Sequence, residues 1–268
     1  MKIELYNGVF FMMVATMTAV GILLWLLLRR LPQEKRRKGM LLLCAALIIL
    51  FVVYRLLQSQ DDRYLEYYGL EVYNWWEALP LHLCYVSLFL MPLGIIKRWK
   101  VLLGFCFYIT PLGAMMTLVF PDPLFVGCSL FEPSAFCFYL LHCLLAISGI
   151  LLAPLGFFRP NFRAIWSSLA LLFILAAIMH VVNRIMQHTV CPHANYFYTC
   201  DTVGISLLEL FWNLIPIPWV YEIPILSIPF VYMMIITVPF ILVDRYRNKN
   251  RYGKNGGKEI EDHSDPIG

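Results

Sequence analysis

Two side chains with the potential for covalent chemistry, Cys84 and His142, occur inside long apolar segments of the sequence. A cysteine thiolate is a nucleophile, and a neutral imidazole can take the proton of a thiol. The alternative is packing, because a free cysteine usually behaves as a small apolar side chain and the chain has eight of them. The pair predicts acyl transfer only if two helices bring the imidazole to the thiol.

The composition indicates a membrane protein. Of the 268 residues, 60% are hydrophobic and only 14% are charged, whereas about a quarter of the residues of a soluble domain are charged. Several apolar runs approach the length of about 20 residues that crosses a bilayer as a helix. We therefore predict an all-α, polytopic membrane protein. The net charge of +4 arises from basic clusters beside apolar runs, so we expect the lipid bilayer, and not nucleic acid, as the partner.

Seven spans form the predicted transmembrane domain, residues 1–243. Their approximate bounds are 8–28, 40–57, 79–96, 101–120, 135–157, 164–186 and 219–243. Basic clusters follow the first, third, fifth and seventh spans, so all four lie on one side, which the positive-inside rule assigns to the cytoplasm. This seven-helix bundle would have its N-terminus outside a cell membrane and its C-terminus in the cytoplasm.

Two further segments complete the predicted organisation. Residues 203–216 are apolar but short, and an eighth crossing would place the basic tail outside, so we interpret them as an interfacial or re-entrant helix. Residues 244–268 are polar and non-periodic, which predicts a disordered cytoplasmic tail.

Polar residues of three spans share one depth. With this orientation, Cys84, His142 and His180 lie on the order of 8–10 Å below the outer edge. Two polar stripes at helical spacing accompany them: His180, Asn183, Arg184 and Gln187, and Thr202, Ser206, Glu209 and Asn213. Ionisable groups in spans usually face the bundle interior or a water-filled cavity. We therefore predict a polar chamber that opens toward the outer leaflet.

Other interpretations of the histidines and cysteines remain open. The histidines could simply hydrogen-bond across helices. Histidine and thiolate also suit zinc, but the spacings match no familiar zinc motif, so we expect no metal and no cofactor. In the predicted outer loop, Cys191 and Cys200 could form a disulfide, with Cys128 as an alternative partner.

Several short motifs together resemble a known family. They are LPLHLC (79–84), LLHC with His142, VNR (182–184), NYFY (195–198) and SLLELFWNLIPIPWVY (206–221). Over roughly residues 40–240 the chain looks like the YwaF-like integral membrane family. That family is similar to an animal transmembrane acyltransferase that transfers arachidonoyl groups onto ether lysophospholipids, with a membrane-embedded cysteine and histidine as the proposed catalytic pair. The resemblance implies these roles for Cys84 and His142. Tyr85 departs from the small polar or acidic residue often found after that cysteine.

The leading hypothesis is a lipid acyltransferase or acyl hydrolase that uses Cys84 and His142 through a thioester. Its substrate would be a membrane phospholipid or lysophospholipid. The candidate substrate-binding residues are His82, His180, Asn183, Arg184, Asn195 and Glu209. The alternative is a non-enzymatic seven-helix protein that binds or transports a small polar solute or a lipid headgroup. A scaffold whose polar groups lock helices together is a third possibility.

Overall fold

The computed structural model describes residues 2–4, 6–120 and 123–261, which form helices, turns and one isolated β-bridge between Lys2 and Ser129. The α-helices are α1 (Gly8–Arg29), α2 (Gln33–Gln58), α3 (Asp62–Tyr68), α4 (Leu83–Lys97), α5 (Lys100–Val119), α6 (Pro133–Leu151), α7 (Phe162–Thr189), α8 (Ser206–Trp212), α9 (Glu222–Ile225) and α10 (Ser227–Glu261). The predicted all-α class is confirmed.

Six stretches of the described chain are long and apolar enough to cross a bilayer: α1, α2, α5, α6, α7 and Glu222–Tyr246, which joins α9 to the first part of α10. The helix in the third predicted span, α4, has 15 residues. At 1.5 Å per residue it is about 22 Å long, which is shorter than a hydrocarbon core of about 30 Å.

Proline and glycine account for two differences from the predicted bounds. The third span was expected from residue 79, but Pro80 disfavours a helical conformation at Leu79, and α4 begins at Leu83. The fifth span was expected to reach residue 157, but α6 ends at Leu151 and a turn follows. In this turn Gly156 has a φ of 81°, which glycine adopts without strain.

The two segments outside the predicted spans contain further helix. The seven-residue α8 lies within 203–216, and the interfacial or re-entrant position of that segment stays a prediction. The structure continues α10 to Glu261, into the tail for which the sequence predicts disorder. That prediction also remains, and its last residues, 262–268, lie outside the described residues.

Helices α5 and α6 form the centre of the bundle. In each of them 67% of the most apolar stretch is buried, against 11% in α1 and 17% in Glu222–Tyr246. Helix α5 packs against α4, α6, α7 and α10, and α6 also packs against α1, α2 and α4. Gly149 of α6 permits a close approach to α5, because a Cβ there would lie 2.8 Å from Cδ of Pro111.

The N-terminal segment and the connections after α2 and α5 meet at one end of the bundle, which we call the amino-terminal end. The backbone N–H of Ile3 donates to the carbonyl of Cys128 over 2.8 Å, and Arg63 forms ion pairs with Asp61 and Glu132. Burial opposes ionisation of Asp61, but hydrogen bonds from Ser134 and Arg63 and the charge of Arg63 outweigh it and lower the pKa of Asp61.

The basic clusters meet at the opposite end, which we call the basic end. Arg37 donates to the carbonyl of Ile96 over 3.0 Å. Arg98 forms an ion pair with Glu34 of α2, and Arg159, in the connection before α7, forms one with Asp244 of α10. The connections expected to share a side of the membrane therefore share an end of the bundle. Which end faces the cytoplasm stays a prediction from the charge bias.

Candidate functional site: a buried arginine cluster beside His142

A buried arginine lies near the C-terminus of α2, at the amino-terminal end of the bundle. Arg55 is only 9% exposed, and its Nη1 donates to Oε1 of Gln58 over 2.6 Å. The same oxygen accepts from the hydroxyl of Tyr73 over 2.8 Å, and Nε2 of Gln58 donates to the hydroxyl of Tyr54 over 2.8 Å. Arg55 and Gln58 are three residues apart on α2, so they share one helical face.

Aromatic rings surround the guanidinium. The Cζ atom of Arg55 lies 5.1–5.3 Å from the ring centroids of Phe51, Tyr54 and Tyr85, within the range of cation–π attraction. The ring of Tyr85 in turn lies 5.5 Å from that of His142. We call Tyr54, Arg55, Gln58, Tyr73, Tyr85 and His142 the arginine cluster; it joins α2, α4, α6 and the loop after α3.

The protonation of His142 follows from one hydrogen bond. This side chain is 2% exposed, and its Nδ1 lies 2.8 Å from the carbonyl oxygen of Phe138, one turn earlier on α6. A carbonyl oxygen can only accept, so Nδ1 carries the proton of the neutral ring and Nε2 keeps its lone pair. The ring of Phe138 packs at 4.3 Å and fixes the imidazole. His142 is therefore oriented as a base at Nε2.

Cys84 faces a different neighbour. A Cβ built on Gly113 of α5 would lie 3.2 Å from its Sγ, so the thiol packs against this glycine. Within the described residues no hydrogen bond or ring contact joins Cys84 to His142; the imidazole instead contacts Tyr85, the next residue on α4. The two proposed partners lie on neighbouring helices, with the thiol directed toward α5.

His82 packs against the loop after α7. It precedes α4, is partly exposed, and its ring lies 5.0 Å from Tyr196 and 5.7 Å from Tyr198. Phe197 and Tyr198 both have a φ near 60°, a conformation that bulky residues rarely adopt. Hydrogen bonds hold this strained loop: the hydroxyl of Tyr221 donates to the carbonyl of Tyr198.

Asn183 fixes the same loop to α7. It is fully buried and donates to the carbonyl of Tyr196 and to Oγ1 of Thr199 over 2.8 and 2.9 Å. Its Oδ1 accepts from the N–H of Tyr196 over 2.8 Å. His180 lies one turn away, with Nδ1 at 3.3 Å from Oγ1 of Thr199 and 3.8 Å from Sγ of Cys200. The described hydrogen bonds thus give Asn183 a structural role.

The remaining sequence candidates lie at the periphery. Arg184 is exposed and contacts Gln187. Asn195 is bonded within its own loop, to the carbonyl of Asp201 and the N–H of Cys200. Glu209 is an exposed residue of α8. The described contacts bring none of these three to the arginine cluster.

The cysteines considered for a disulfide are free thiols in the structure. Cys191 is buried, with Sγ 3.4 Å from Nδ2 of Asn74 and 3.5 Å from Oε1 of Glu77, so the bridge to Cys200 that we considered is not formed. Burial, and then the charge of Glu77, raise the pKa of the Cys191 thiol. Among the described residues, no group of three His, Cys, Asp or Glu side chains is arranged to hold a metal ion.

The centre of this site was not predicted from the sequence: neither Arg55 nor Gln58 is among the candidate residues. A charged residue inside a predicted span, with a polar residue three positions later on the same face, is itself a signal of a functional or paired site. The signal was present in the sequence as YRLLQ at residues 54–58.

A helical bundle with six apolar helices of spanning length, and basic clusters at one end, defines the molecule as a multi-pass membrane protein. The model of the TMEM164 family matches residues 5–243, and the chain belongs to this family. Neither the curated proteins nor the solved structures gave a match.

Proposed function

We propose that this protein transfers or hydrolyses acyl chains of membrane phospholipids or lysophospholipids, with Cys84 as nucleophile and His142 as base. The observation that carries the proposal is the orientation of His142: the Phe138 carbonyl holds Nδ1–H and leaves Nε2 free to accept a proton. Membership of the TMEM164 family supports a membrane setting for this chemistry, and a cell membrane, with the amino-terminal end outside, is the proposed location.

The reaction has two balanced steps. In the first, Nε2 of His142 takes the thiol proton, Sγ attacks the ester carbonyl, and the ester C–O bond breaks. The departing lysolipid oxygen receives the proton, and a thioester remains on Cys84. In the second, water or a lysophospholipid hydroxyl gives its proton to His142 and attacks the thioester. The acyl group leaves on the new oxygen, and the thiol is restored.

Cysteine variants test this directly. Cys84→Ala and Cys84→Ser should both abolish changes in lipid acyl profiles that the wild-type chain produces in cells, because neither supplies a thiolate. Cys143→Ala is the matched control, since Cys143 is also a partly buried thiol next to the site. Unchanged profiles in a folded Cys84→Ala protein would refute the proposal.

Covalent labelling tests the base. A thiol-reactive acyl probe should modify Cys84 in preference to the buried cysteines, and His142→Ala should suppress this reaction while the protein keeps its fold. If labelling of Cys84 is equally fast with and without the imidazole, His142 is not the base.

The packing of the Cys84 thiol against Gly113 favours one competing function. A thiol that stays in this position would be structural, and the polar groups would then bind a small polar solute or a lipid headgroup without chemistry. This alternative predicts that Cys84→Ala keeps full function, whereas changes in the arginine cluster remove binding. The catalytic and the binding function therefore predict opposite results for Cys84→Ala.

A further inference from the structure

The guanidinium of Arg55 has an unpaired hydrogen-bond donor inside the protein. Gln58 occupies Nη1, while the buried Nε has no hydrogen-bond partner among the described residues. Tyr73 is a second hydrogen-bond partner of the guanidinium, so Nε is the donor that remains unpaired in the described part of the chain. Nε–H and Nη2–H point in the same direction along one edge of the planar group, which matches two oxygens of a phosphate or carboxylate.

The charge of Arg55 also lacks an anion. Among the described residues, no carboxylate forms an ion pair with it. The groups that surround it electrostatically are the tyrosines 54, 64, 73 and 85, which are neutral at physiological pH. The ring faces and the C-terminal position on α2 offset part of the cost of burying the charge, but they leave Nε without a hydrogen-bond partner among the described residues.

The position suits a lipid phosphate. Arg55 lies one turn from the end of α2, at the amino-terminal end, close to the loop with the exposed Trp75 and Trp76. Tryptophans of this kind mark the headgroup level of a bilayer. Through Tyr85, the guanidinium adjoins His142. In a glycerophospholipid the acyl-bearing carbons are only one or two bonds beyond the phosphate ester, so a phosphate on Arg55 would bring an ester or hydroxyl toward the imidazole.

We propose that Arg55 is the binding site for the phosphate of the lipid substrate, with Gln58 holding the guanidinium so that its Nε–Nη2 edge faces the ligand. This inference rests on the proposed function for the identity of the ligand. A free fatty acid offers the same edge a carboxylate, but it carries no ester to present to His142, so the phosphate is the group that the site selects.

Binding to the full-length Cys84→Ala protein in detergent micelles tests this without turnover. Lysophosphatidate and monoacylglycerol of the same chain length differ only in the phosphate. We expect lysophosphatidate to bind about ten- to a hundredfold more tightly, as for hydrogen bonds to a charged group. Arg55→Gln should remove this preference, and Arg55→Lys should keep only part of it. Arg29→Gln is the control, because Arg29 also stacks on a ring, that of Trp25, but lies at the basic end.

Equal binding of the two lipids by the Cys84→Ala parent would overturn the proposal even if the Arg55 variants fail to fold. A fatty acid that binds as tightly as lysophosphatidate would overturn the choice of phosphate. If inorganic phosphate binds as tightly as lysophosphatidate, the phosphate that Arg55 binds is not specifically that of a lipid. Phosphate-selective binding with no acylation of Cys84 in the wild-type chain would refute the catalytic proposal alone and leave the binding site standing.

Discussion

Alanine at Gly149 should lower stability and leave the reactivity of the Cys84 thiol unchanged, whereas alanine at Gly113 should lower that reactivity and leave stability almost unchanged. At Gly149 the new Cβ would lie 2.8 Å from Cδ of Pro111 and 2.9 Å from the carbonyl oxygen of Cys106. Both atoms belong to the rigid backbone region of α5, so α6 must move away. At Gly113 the Cβ would lie 3.2 Å from Sγ of Cys84, a side-chain atom that can shift by a few tenths of an ångström.

The magnitudes follow from two opposing terms. Alanine stabilises a helix interior by about 0.5–1 kcal/mol relative to glycine, and overpacking a close helix contact costs about 1–3 kcal/mol. For Gly149→Ala the second term is larger, and we expect a net loss of about 1–2 kcal/mol, or about 2–8 °C in Tm. For Gly113→Ala the two terms nearly cancel, and Tm should change by less than about 2 °C.

Thermal unfolding of the purified chain in detergent and acyl-probe labelling of Cys84 measure the two effects. Gly113→Ala should slow labelling, because its methyl group crowds the thiol, whereas Gly149→Ala, assayed well below its Tm, should not. Equal Tm losses for the two variants would contradict the packing of α6 on α5. Labelling of Cys84 that is unaffected in Gly113→Ala would contradict the position of the thiol.

Three further predictions concern the amino-terminal end. Because the pKa of Asp61 is lowered in the folded protein, its carboxylate stabilises the fold above the unfolded pKa of about 3.9, and this contribution is lost as pH falls through the folded pKa. Asp61→Asn should therefore lower Tm at neutral pH, and Tm of this variant should fall less on acidification than that of the wild-type protein. Asn183→Leu should cost at least about 2 kcal/mol in a denaturant titration, because it leaves buried loop groups unpaired, whereas exposed Arg184→Gln should cost almost nothing. The Cys191 thiol, buried and with a raised pKa, should react with iodoacetamide more slowly than that of Cys200 in the folded chain, and detergent denaturation should remove the difference.

The helices could be predicted from the sequence because a bilayer imposes a simple requirement on the backbone. Backbone groups in lipid must be hydrogen-bonded within the segment, so apolar runs of about 20 residues become helices, and α1, α2, α5 and α7 extend over the predicted spans. The start of α4 was missed by four residues, because an apolar run does not show where the helical conformation begins. Pro80 carried that information.

The composition of the site was harder to predict because it depends on the rotation of each helix about its axis. Depth can be counted along a span, and it predicts one level for Cys84 and His142; in the structure the two lie on α4 and α6, where Tyr85, next to Cys84, contacts His142. Which side of α4 faces which neighbour is decided by packing. Arg55 was overlooked for a related reason: its guanidinium folds back among aromatic rings of three elements, and no spacing within α2 encodes that contact.

The rotation of α4 about its axis also decides which neighbours Cys84 and Tyr85 contact. Cys84 and Tyr85 are consecutive, so their side chains point about 100° apart around the helix; the ring of Tyr85 meets His142 while the thiol meets Gly113. The proposed reaction therefore requires Sγ to leave its contact with Gly113 and to turn toward the imidazole. Because Tyr85 packs against both Arg55 and His142, a phosphate on Arg55 would lie beside the same aromatic side chain that packs on the imidazole, which couples the proposed phosphate site to the proposed base.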